Sequence, residues 1–262
     1  MKLKLCTLAS SSSGNCTYIN FEDTHILVDI GISKKRTIEA LNQIDVKPES
    51  IQAIFVTHEH CDHVKGIGVF NRKYNTPIYA TKKTWEVIDK NNLIGKVSNK
   101  RILQQTTKIK NLTIQSYKVS HDAVDPVGYI FEAEKKRIAL FTDIGIIDTN
   151  ILTAVKNCNG IMLEFNHDPN MVEVGNYPYY LKRRILGEKG HLSNDTAAKI
   201  LADIYHQDLK WAMLAHLSGE NNLPDLAYIT TKNALEEKGL TIGKHIQIYV
   251  AEKYINSPLL SV

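Results

Sequence analysis

The sequence lacks the features of a secreted or membrane-spanning protein. Its four cysteines form no CxxC pair, which excludes a zinc knuckle and a thioredoxin-type redox motif. No apolar run approaches the roughly 18 residues of a membrane span. The N-terminal residues also lack the apolar core of a signal peptide. We therefore expect a reduced, soluble, cytoplasmic protein that makes no contact with a membrane.

The chain also has no linker rich in proline, glycine or serine, and no internal repeat. The one biased segment is Ser10–Gly14, and five residues make a loop rather than a linker. The 262 residues are 43% hydrophobic and 23% charged, which is typical of a globular chain. The net charge of +4 is too small to establish nucleic-acid binding by itself. We interpret residues 1–262 as a single domain.

Short apolar and β-branched runs alternate with segments of helical spacing. The predicted strands are Leu3–Leu8, Cys16–Asn20, Ile26–Asp29, Ile51–Thr57, Pro77–Ala80, Leu112–Val119, Gly128–Ala133, Arg137–Thr142, Gly160–Leu163, Trp211–Leu214 and Ile246–Val250. The predicted helices are Ile32–Ile44, Thr84–Lys90, Asp148–Lys156, Pro178–Leu186, Asn194–Tyr205 and Pro224–Glu237. Ser33 and Asn194 are predicted to cap their helices. Because the first three strands follow one another closely, we expect an α/β (α+β) fold with helices packed over mixed sheets.

The segment Ile54–Gly66, IFVTHEHCDHVKG, carries the clearest chemical signal. His58 and His60 are two residues apart, so in an extended loop their rings can face one metal ion. Asp62 and His63 then turn toward a second ion. Imidazole and carboxylate are suitable ligands for zinc, manganese or iron, whereas an HExxH helix is excluded by the spacing. A histidine-rich surface loop is the alternative, and the position of the cluster directly after an apolar strand disfavours it.

This motif resembles the HxHxDH signature of the metallo-β-lactamase superfamily, and the resemblance extends along nearly the whole chain. Further matching segments are LVDIG, VSHDAVDPVGY, ALFTDIG and MLAHLSGENN, which contain Asp29, His121, Asp143 and His216. The resemblance implies a four-layer αβ/βα sandwich of two mixed β-sheets flanked by helices. It places the site between the sheets, along one edge.

The same resemblance implies two divalent metal ions per chain, zinc or manganese, with iron as a further candidate. The first ion would be held by His58, His60, His121 and Asp143. The second would be held by Asp62, His63, Asp143 and His216. Asp29 would support the metal loop without binding metal. Two carboxylates and five neutral imidazoles leave two dications underneutralised, so the site should attract an anion such as a phosphodiester.

Several other segments resemble one branch of the superfamily, the YycJ/WalJ (VicX-type) group. They are SSSSGNC, LEFNHD, YPYYLKRRILGEKGHLSN and AHLSGENN. This resemblance implies a cytoplasmic 5′-to-3′ DNA exonuclease encoded beside a bacterial cell-wall two-component system. We therefore expect a dinuclear hydrolase that cleaves phosphodiester bonds with a metal-bridging hydroxide. The alternatives are a hydrolase of small phosphodiesters or thioesters, and a low-turnover regulatory partner of the two-component system.

The segment Tyr177–His191 interleaves aromatic and basic residues, which pairs stacking surfaces with phosphate-binding cations. The expected substrate-binding residues are Tyr177, Tyr180, Lys182, Arg183, Arg184 and Asn194. An amphipathic helix with a solvated basic face explains the same pattern equally well.

The remaining expectations concern catalysis and the support of the metal ligands. Asp62 is expected to orient the attacking hydroxide. His191 or His167 is expected to donate a proton to the leaving oxygen, with His191 taken as the catalytic residue. Either histidine could instead bind a phosphate, and a structural, hydrogen-bonding histidine is an equally good interpretation of both. Glu164, His167 and Asp29 are expected to lie behind the ligands and to support them.

Overall fold

Two mixed β-sheets of seven strands each form the centre of the protein, described here by a computed structural model of residues 1–262. The strands of the first sheet lie in the order β14-β1-β2-β3-β4-β5-β6. Their bounds are β1 (Leu3–Ala9), β2 (Cys16–Phe21), β3 (Thr24–Val28), β4 (Ala53–Phe55), β5 (Ile78–Ala80), β6 (Lys100–Ile102) and β14 (Leu260–Ser261). The strands from β14 to β3 pair antiparallel, and those from β3 to β6 pair parallel.

The second sheet has the order β13-β12-β11-β10-β9-β8-β7. Its strands are β7 (Thr106–Ile109), β8 (Leu112–Lys118), β9 (Val127–Ala133), β10 (Lys136–Phe141), β11 (Gly160–Glu164), β12 (Trp211–Ala215) and β13 (Gln247–Val250). The strands from β7 to β10 pair antiparallel, and those from β10 to β13 pair parallel. Each sheet is therefore mixed, as the closely spaced first strands predict.

Nine α-helices accompany the two sheets. They are α1 (Lys34–Asn42), α2 (Cys61–Val64), α3 (Ile67–Tyr74), α4 (Lys82–Lys90), α5 (Thr149–Val155), α6 (Pro169–Val174), α7 (Tyr179–Ile185), α8 (Asn194–Ile204) and α9 (Pro224–Glu237). A 3₁₀ turn occupies Pro48–Ser50. None of these helices combines the length and the apolar character that crossing a bilayer requires.

Three apolar cores separate the four layers. Successive side chains of a strand point to opposite faces of the sheet. In β1 and β10, Leu5 and Ile138 therefore pack in the core between the sheets. Their neighbours along each strand face outward. Cys6 packs in the core shared with α1, α3 and α4, and Ala139 packs in the core shared with α5, α8 and α9. This arrangement confirms the predicted four-layer sandwich of two mixed sheets flanked by helices.

The strands and helices that the sequence did not predict lack strong local signals. Strand β6 (Lys100–Ile102) is exposed at every position, and β14 has only two residues. Helix α3 follows Gly66, which offers no capping side chain. The prediction that Asn194 caps its helix is wrong, because the Ser193 side chain accepts the hydrogen bond from the Thr196 amide.

The carboxyl ends of the central strands meet along one edge of the sandwich. Strands β3 and β4 are parallel neighbours in the first sheet, and β10, β11 and β12 are parallel neighbours in the second. Strand β8 runs in the same direction as β10, because both are antiparallel to β9. Loops that follow these strands therefore bring their polar side chains together at a single edge.

Candidate metal centre

The HxHxDH motif begins just after β4 and ends inside α2. The backbone is extended at His60 (φ −61°, ψ 147°), and a helical turn starts at Cys61. The extended part agrees with the predicted geometry of His58 and His60. The helical turn then redirects Asp62 and His63, so that the side chains of one short segment contribute to two neighbouring groups of donor atoms.

The first group of donor atoms comes from His58, His60 and His121, whose candidate ligand atoms lie within 4.8 Å of one another. The ring centroids of His58 and His60 are 4.5 Å apart, and each ring lies 5.1 Å from that of His121. The Nε2 atoms of His58 and His121 are buried and make no hydrogen bond. Buried polar atoms are rarely left unpaired, so this group fits a metal ion.

The second group comes from Asp62, His63 and His216, whose donor atoms also lie within 4.8 Å of one another. The Nε2 atom of His63 is 3.4 Å from Oδ2 of Asp62. The Nε2 atom of His216 is buried and makes no hydrogen bond. The Asp62 side chain is 24% exposed, whereas both imidazoles are almost completely buried. One candidate ligand of this group, Asp62, is therefore accessible to solvent.

Asp143 lies between the two groups of donor atoms. Its Oδ1 is 3.7 Å from Nε2 of His121 in the first group and 3.5 Å from Nε2 of His216 in the second. Its Oδ2 is 3.2 Å from Nε2 of His63. This placement is the one that a carboxylate shared by two ions requires.

The Nδ1 atoms of the histidines are held by acceptors, which directs Nε2 toward the centre. His63 donates from Nδ1 to Oδ2 of Asp29 at 2.8 Å, and His216 donates to Oε1 of Glu164 at 2.8 Å. His121 donates to the carbonyl oxygen of Gly190 at 3.3 Å. Such partners fix the tautomer and the ring orientation of metal-binding histidines.

Asp29 also fixes the start of the motif. Its Oδ1 accepts the backbone amide of Thr57 at 2.9 Å, and its Oδ2 accepts the Thr57 hydroxyl at 2.8 Å. The carboxylate therefore holds both the residue before His58 and the ring of His63. This geometry is that of the supporting role predicted for Asp29.

Glu164 is a fully buried carboxylate that contacts the imidazoles of His191 and His216. Its Oε1 lies 2.8 Å from Nδ1 of His191 and 2.8 Å from Nδ1 of His216. Its Oε2 accepts backbone amides from Ile144 at 2.9 Å and Leu192 at 3.1 Å. Burial alone would raise the pKa of Glu164, but the two imidazoles and the hydrogen bonds lower it to about 2. The carboxylate therefore remains an acceptor at neutral pH.

The charge states of the imidazoles follow from their neighbours. Burial lowers the pKa of His58 well below its usual value, and burial also lowers that of His121. Burial opposes protonation of His63 as well, yet the carboxylates of Asp143 and Asp29 raise its pKa well above the usual range. The pKa of His216 is raised to about 10 because Asp143 and the other carboxylates outweigh burial. In the metal-free protein, the protons on His63 and His216 therefore neutralise part of the carboxylate charge that bound metal ions would otherwise neutralise.

Three residues of the site adopt left-handed backbone conformations. Asp29, Asp143 and His216 have φ values of 57°, 55° and 59°. Non-glycine residues seldom occupy this region, and those that do concentrate at functional sites. Each of the three lies within two residues of the end of a strand. The unusual backbone conformation therefore turns its side chain toward the edge of the sandwich where the loops meet.

Two residues of the Ser10–Asn15 loop join the site without having been predicted. The amide nitrogen of the Asn15 side chain lies 3.0 Å from Nε2 of His63 and 3.3 Å from Oδ2 of Asp62. The Ser10 hydroxyl accepts the backbone amide of His216 at 2.9 Å. The serine-rich composition of the loop is the one local signal that could have indicated these roles.

A cavity of about 380 Å³ opens above the donor atoms. Its lining includes Ser12, Asp62, Asp143, Asn166, Tyr177, Leu181, Arg184, Ile185, His191, His216 and Ser218. Helix α7 forms one wall of this cavity. We call it the metal-centre cavity.

The predicted substrate-binding residues do not all reach the metal-centre cavity. Tyr177 and Arg184 line it, and Arg184 forms an ion pair with Asp122. Tyr180 and Arg183 are exposed and are absent from the lining, as is Lys182, which donates to the carbonyl oxygen of Glu173 at 2.7 Å.

The prediction that Asn194 contacts substrate requires correction. Its side chain is fully buried, and it exchanges two hydrogen bonds, of 2.8 and 2.9 Å, with the side chain of Asn222. Asn222 in turn donates to the carbonyl oxygen of Phe165 at 2.8 Å. Asn194 therefore joins α8 to the segment that precedes α9.

The structure separates the two histidines considered for proton transfer. His191 lines the metal-centre cavity, and its side chain is 17% exposed. His167 is buried, does not line the cavity and pairs through its backbone with Ser193. Burial lowers the pKa of His167 to about 4, so this imidazole is neutral at physiological pH.

Comparison with known proteins agrees with this geometry. A family profile, the β-lactamase superfamily domain, matches residues 24–216. This chain belongs to the β-lactamase superfamily. It is 38% identical to exodeoxyribonuclease YycJ of Bacillus anthracis over 253 residues, which cover 95% of each protein. It is also 38% identical to exodeoxyribonuclease WalJ of Streptococcus pneumoniae over 263 residues, covering 99% of this chain and 98% of WalJ.

Solved structures of the superfamily share the same fold. The crystal structure of YhfI from Bacillus subtilis, a metallo-β-lactamase fold protein, superposes with a TM-score of 0.72 at 15% sequence identity. The superposition covers 98% of this chain and 99% of YhfI. The predicted family, its YycJ/WalJ branch and the predicted fold are thus confirmed. The same findings support the predicted enzyme class, a metal-dependent hydrolase.

Proposed function

We propose that this protein is a 5′-to-3′ exodeoxyribonuclease that depends on two divalent metal ions. The observation that carries the proposal is the position of Asp143, whose carboxylate lies within 3.7 Å of imidazoles from both donor groups. The near full-length relatives YycJ and WalJ, both named exodeoxyribonucleases, support DNA as the substrate. We place this activity in the cytoplasm.

The donor set fits two divalent ions such as zinc or manganese, with iron as a further candidate. The first ion would be held by His58, His60, His121 and Asp143. The second would be held by Asp62, His63, Asp143 and His216. When bound, such ions lower the pKa of water and neutralise charge that develops on a phosphoryl oxygen.

The charge of the site favours an anionic substrate. Only two carboxylates, those of Asp62 and Asp143, belong to the two ligand sets, while the five imidazoles are neutral as ligands. Two dications would therefore leave an excess of positive charge in the metal-centre cavity. Arg184 adds a cation to its rim, although its pairing with Asp122 offsets part of that charge. A phosphodiester matches this environment better than a neutral ester does.

Three residues of this chain have distinct roles in the proposed reaction. Asp62 is the more accessible of the two candidate ligand carboxylates, and it accepts a hydrogen bond from the attacking water and orients it toward phosphorus. His191 lines the cavity on the side of β11 and α8, and it donates a proton to the leaving oxygen. Tyr177 lines the same cavity and offers a stacking surface to a base.

The decisive experiment compares DNA and RNA, each labelled at the 5′ or the 3′ end, as substrates of the metal-loaded protein. We expect labelled mononucleotide to appear first from 5′-labelled DNA, and a progressively shortened ladder from 3′-labelled DNA. Reactions with Mn²⁺ and Zn²⁺ would identify the more active metal. Asp62→Ala, loaded with the same metal, is the control and should release neither product. Hydrolysis of small phosphodiesters or thioesters without any cleavage of DNA would contradict the proposal.

The number of ions can be measured directly. Elemental analysis of protein purified without chelator should give about two ions per chain, because seven ligand side chains exceed what one tetrahedral ion can use. Asp143→Ala should lower the occupancy of both positions, whereas His216→Ala should mainly empty the second. One ion in the unaltered protein, or full occupancy in Asp143→Ala, would contradict the dinuclear assignment.

We also propose that the protein functions together with a bacterial cell-wall two-component system, as the resemblance to the YycJ/WalJ group implies. A low-turnover regulatory role predicts that the metal-loaded protein would cleave none of the four labelled nucleic acids. The same experiment therefore separates that role from the exonuclease.

A further inference from the structure

The loop that follows β1 separates the metal centre from a second cavity. Ser12 lines the metal-centre cavity, while its neighbours Ser11 and Ser13 line another cavity of about 320 Å³. We call the latter the cationic cavity, because its other lining residues include Arg36, Lys65 and Lys253. No acidic side chain lines it.

The three cations come from separate parts of the chain, and local contacts hold two of them in place. Arg36 lies in α1, donates to the carbonyl oxygen of Lys253 at 2.9 Å, and stacks over the ring of Tyr254 at 4.5 Å. Lys65 directly follows α2 and donates to the carbonyl oxygen of Ser13 at 2.9 Å. None of the three forms an ion pair with a carboxylate, so their charges are available to an external anion. Guanidinium and ammonium groups beside three serine hydroxyls match the oxygens of a phosphate.

A third cavity joins the other two. This connecting cavity, of about 650 Å³, shares Ser12, Tyr177 and Ser218 with the metal-centre cavity. It shares Ser11, Ser13, Lys253 and Tyr254 with the cationic cavity. The three cavities thus adjoin and form one groove that starts at the metal centre and ends at the three cations.

The lining of the connecting cavity differs from that of both ends. Leu223, Tyr254 and Ile255 line it, and these side chains are 57%, 67% and 58% exposed. Glu220 and Glu252 line it too, so this stretch repels phosphate. Exposed apolar and aromatic surface suits the faces of nucleobases, and carboxylates can accept hydrogen bonds from base amino groups. Phosphate is therefore favoured at the two ends of the groove, and bases are favoured between them.

We propose that the cationic cavity binds a second phosphate of the same nucleic-acid strand whose scissile phosphodiester lies at the metal centre. The intervening bases occupy the connecting cavity, against Tyr177 and Tyr254, so the strand in the groove is unpaired. This inference rests on the proposed function and extends it. It names Arg36, Lys65 and Lys253 as binding residues and single-stranded DNA as the form that the groove accepts.

The test compares two triple variants that remove the same charge. The first is Arg36→Gln, Lys65→Gln and Lys253→Gln, which removes the three positive charges from the lining of the cationic cavity. The matched control is Lys35→Gln, Lys232→Gln and Lys244→Gln, three exposed lysines that line none of the three cavities. Metal content and thermal unfolding are measured for both. If the first triple variant unfolds or loses metal, the single variant Lys253→Gln, at an exposed position, replaces it.

Two measurements report on the cationic cavity. The first is the affinity of metal-loaded protein for a nuclease-resistant, phosphorothioate-linked single strand at several salt concentrations. Loss of each phosphate contact should reduce the log–log salt slope for a single strand by about 0.7. The cationic cavity binds one phosphate, so the slope of the first triple variant should be smaller by about 0.7, and that of the control should change much less. The second is the ratio of kcat/KM for a long single strand to kcat/KM for bis(p-nitrophenyl) phosphate. That ratio should fall at least several-fold in the first triple variant alone.

The possible failures are distinguishable. If the unaltered protein neither binds nor cleaves DNA, the proposed function is wrong and the inference falls with it. If the unaltered protein cleaves DNA, but both triple variants have equal salt slopes and equal ratios, then the inference alone is wrong. Equal binding of single-stranded DNA and of blunt duplex by the unaltered protein would likewise overturn the assignment of the groove to an unpaired strand.

Discussion

The Nδ1 atom of His216 lies 2.8 Å from Oε1 of Glu164, a carboxylate with no exposed surface. The same oxygen lies 2.8 Å from Nδ1 of His191, and the other oxygen accepts two backbone amides. One buried side chain therefore orients the imidazole of a proposed metal ligand and the imidazole proposed for proton transfer. It also ties the end of β11 to the loops after β10 and before α8.

Replacing Glu164 by Gln should weaken metal binding at the position that His216 serves. The amide keeps the size of the side chain, but one of its two terminal atoms becomes a donor and faces groups that themselves donate. We expect metal affinity at the second position to fall about 10–100-fold, as is usual when such a partner is removed. Competition with a chromophoric chelator measures this. The control is Glu173→Gln at an exposed position of α6, and equal affinities in the two variants would contradict the role of Glu164.

Replacing His191 by Ala should affect substrates according to their leaving groups. Proton donation matters for the poor leaving oxygen of DNA and little for p-nitrophenolate, which leaves without protonation. We expect the rate on DNA to fall by about 10²–10⁴-fold, and the rate on bis(p-nitrophenyl) phosphate to fall far less. Steady-state kinetics on both substrates provides the measurement.

The control for His191 is the buried His167. His167→Asn should lower thermal stability, since it changes a buried side chain, yet leave the ratio of the two rates near that of the unaltered protein. A His191→Ala variant that slows both substrates equally would show that His191 supports the site without donating the proton.

Adjacent arginines on α7 should differ in their contribution to DNA binding. Arg184 lines the metal-centre cavity and pairs with Asp122, whereas Arg183 is exposed and lies outside the lining. Arg184→Ala should weaken binding and reduce the log–log salt slope by about 0.7, with a further decrease in affinity because Asp122 is left unpaired near the site. Arg183→Ala removes the same charge one residue away and should change the slope little. Equal changes in both variants would mean that α7 acts only through its overall charge.

The part of the site that could be predicted from sequence is the part encoded within a few residues. HxHxDH lies within six residues after a strand, so its ligand character is visible locally. His121, Asp143 and His216 were assigned through resemblance to a family, because each stands alone in the sequence. The folded chain brings them within ligand distance of the motif since the strands before them end at the same edge.

Roles that depend on distant partners could not be predicted in this way. Asn15 contacts Asp62 and His63 from a loop more than forty residues earlier in the chain. Asn194 was assigned to substrate binding because of its neighbours in the sequence, yet its partner is Asn222 in the segment before α9. The mixture of aromatic and basic residues along α7 is visible in the sequence. Which of these side chains line the metal-centre cavity depends on how α7 packs against the rest of the chain.

Metal binding should release protons, and the apparent affinity should rise with pH. In the metal-free protein the pKa values of His63 and His216 are raised, that of His216 from 6.5 to about 10, so both are protonated at neutral pH. A metal ion needs the unprotonated Nε2 atoms and competes with these protons. Calorimetry at pH 7 in HEPES and in Tris should give binding enthalpies that differ with the ionisation enthalpy of the buffer. Identical enthalpies would contradict the proton release.

The same pKa values determine the stability of the metal-free protein. A raised folded-state pKa gives a stabilisation that is complete below the unfolded value and disappears as pH rises through the folded value. The contribution of His216 should therefore disappear between pH 6.5 and about 10. Denaturant unfolding of chelated protein at several pH values measures this change, and His216→Gln should flatten the dependence.

The proposed metal ligands are divided between the two sheets. His58, His60, Asp62 and His63 belong to the first sheet's side of the edge, and His121, Asp143 and His216 follow strands of the second. Bound ions would therefore join two layers that pack against each other mainly through apolar side chains, as a cross-link between distant parts of one chain does. Release of the metal and separation of the sheets at this edge become linked equilibria, so the cofactor of the reaction also stabilises the architecture that holds it.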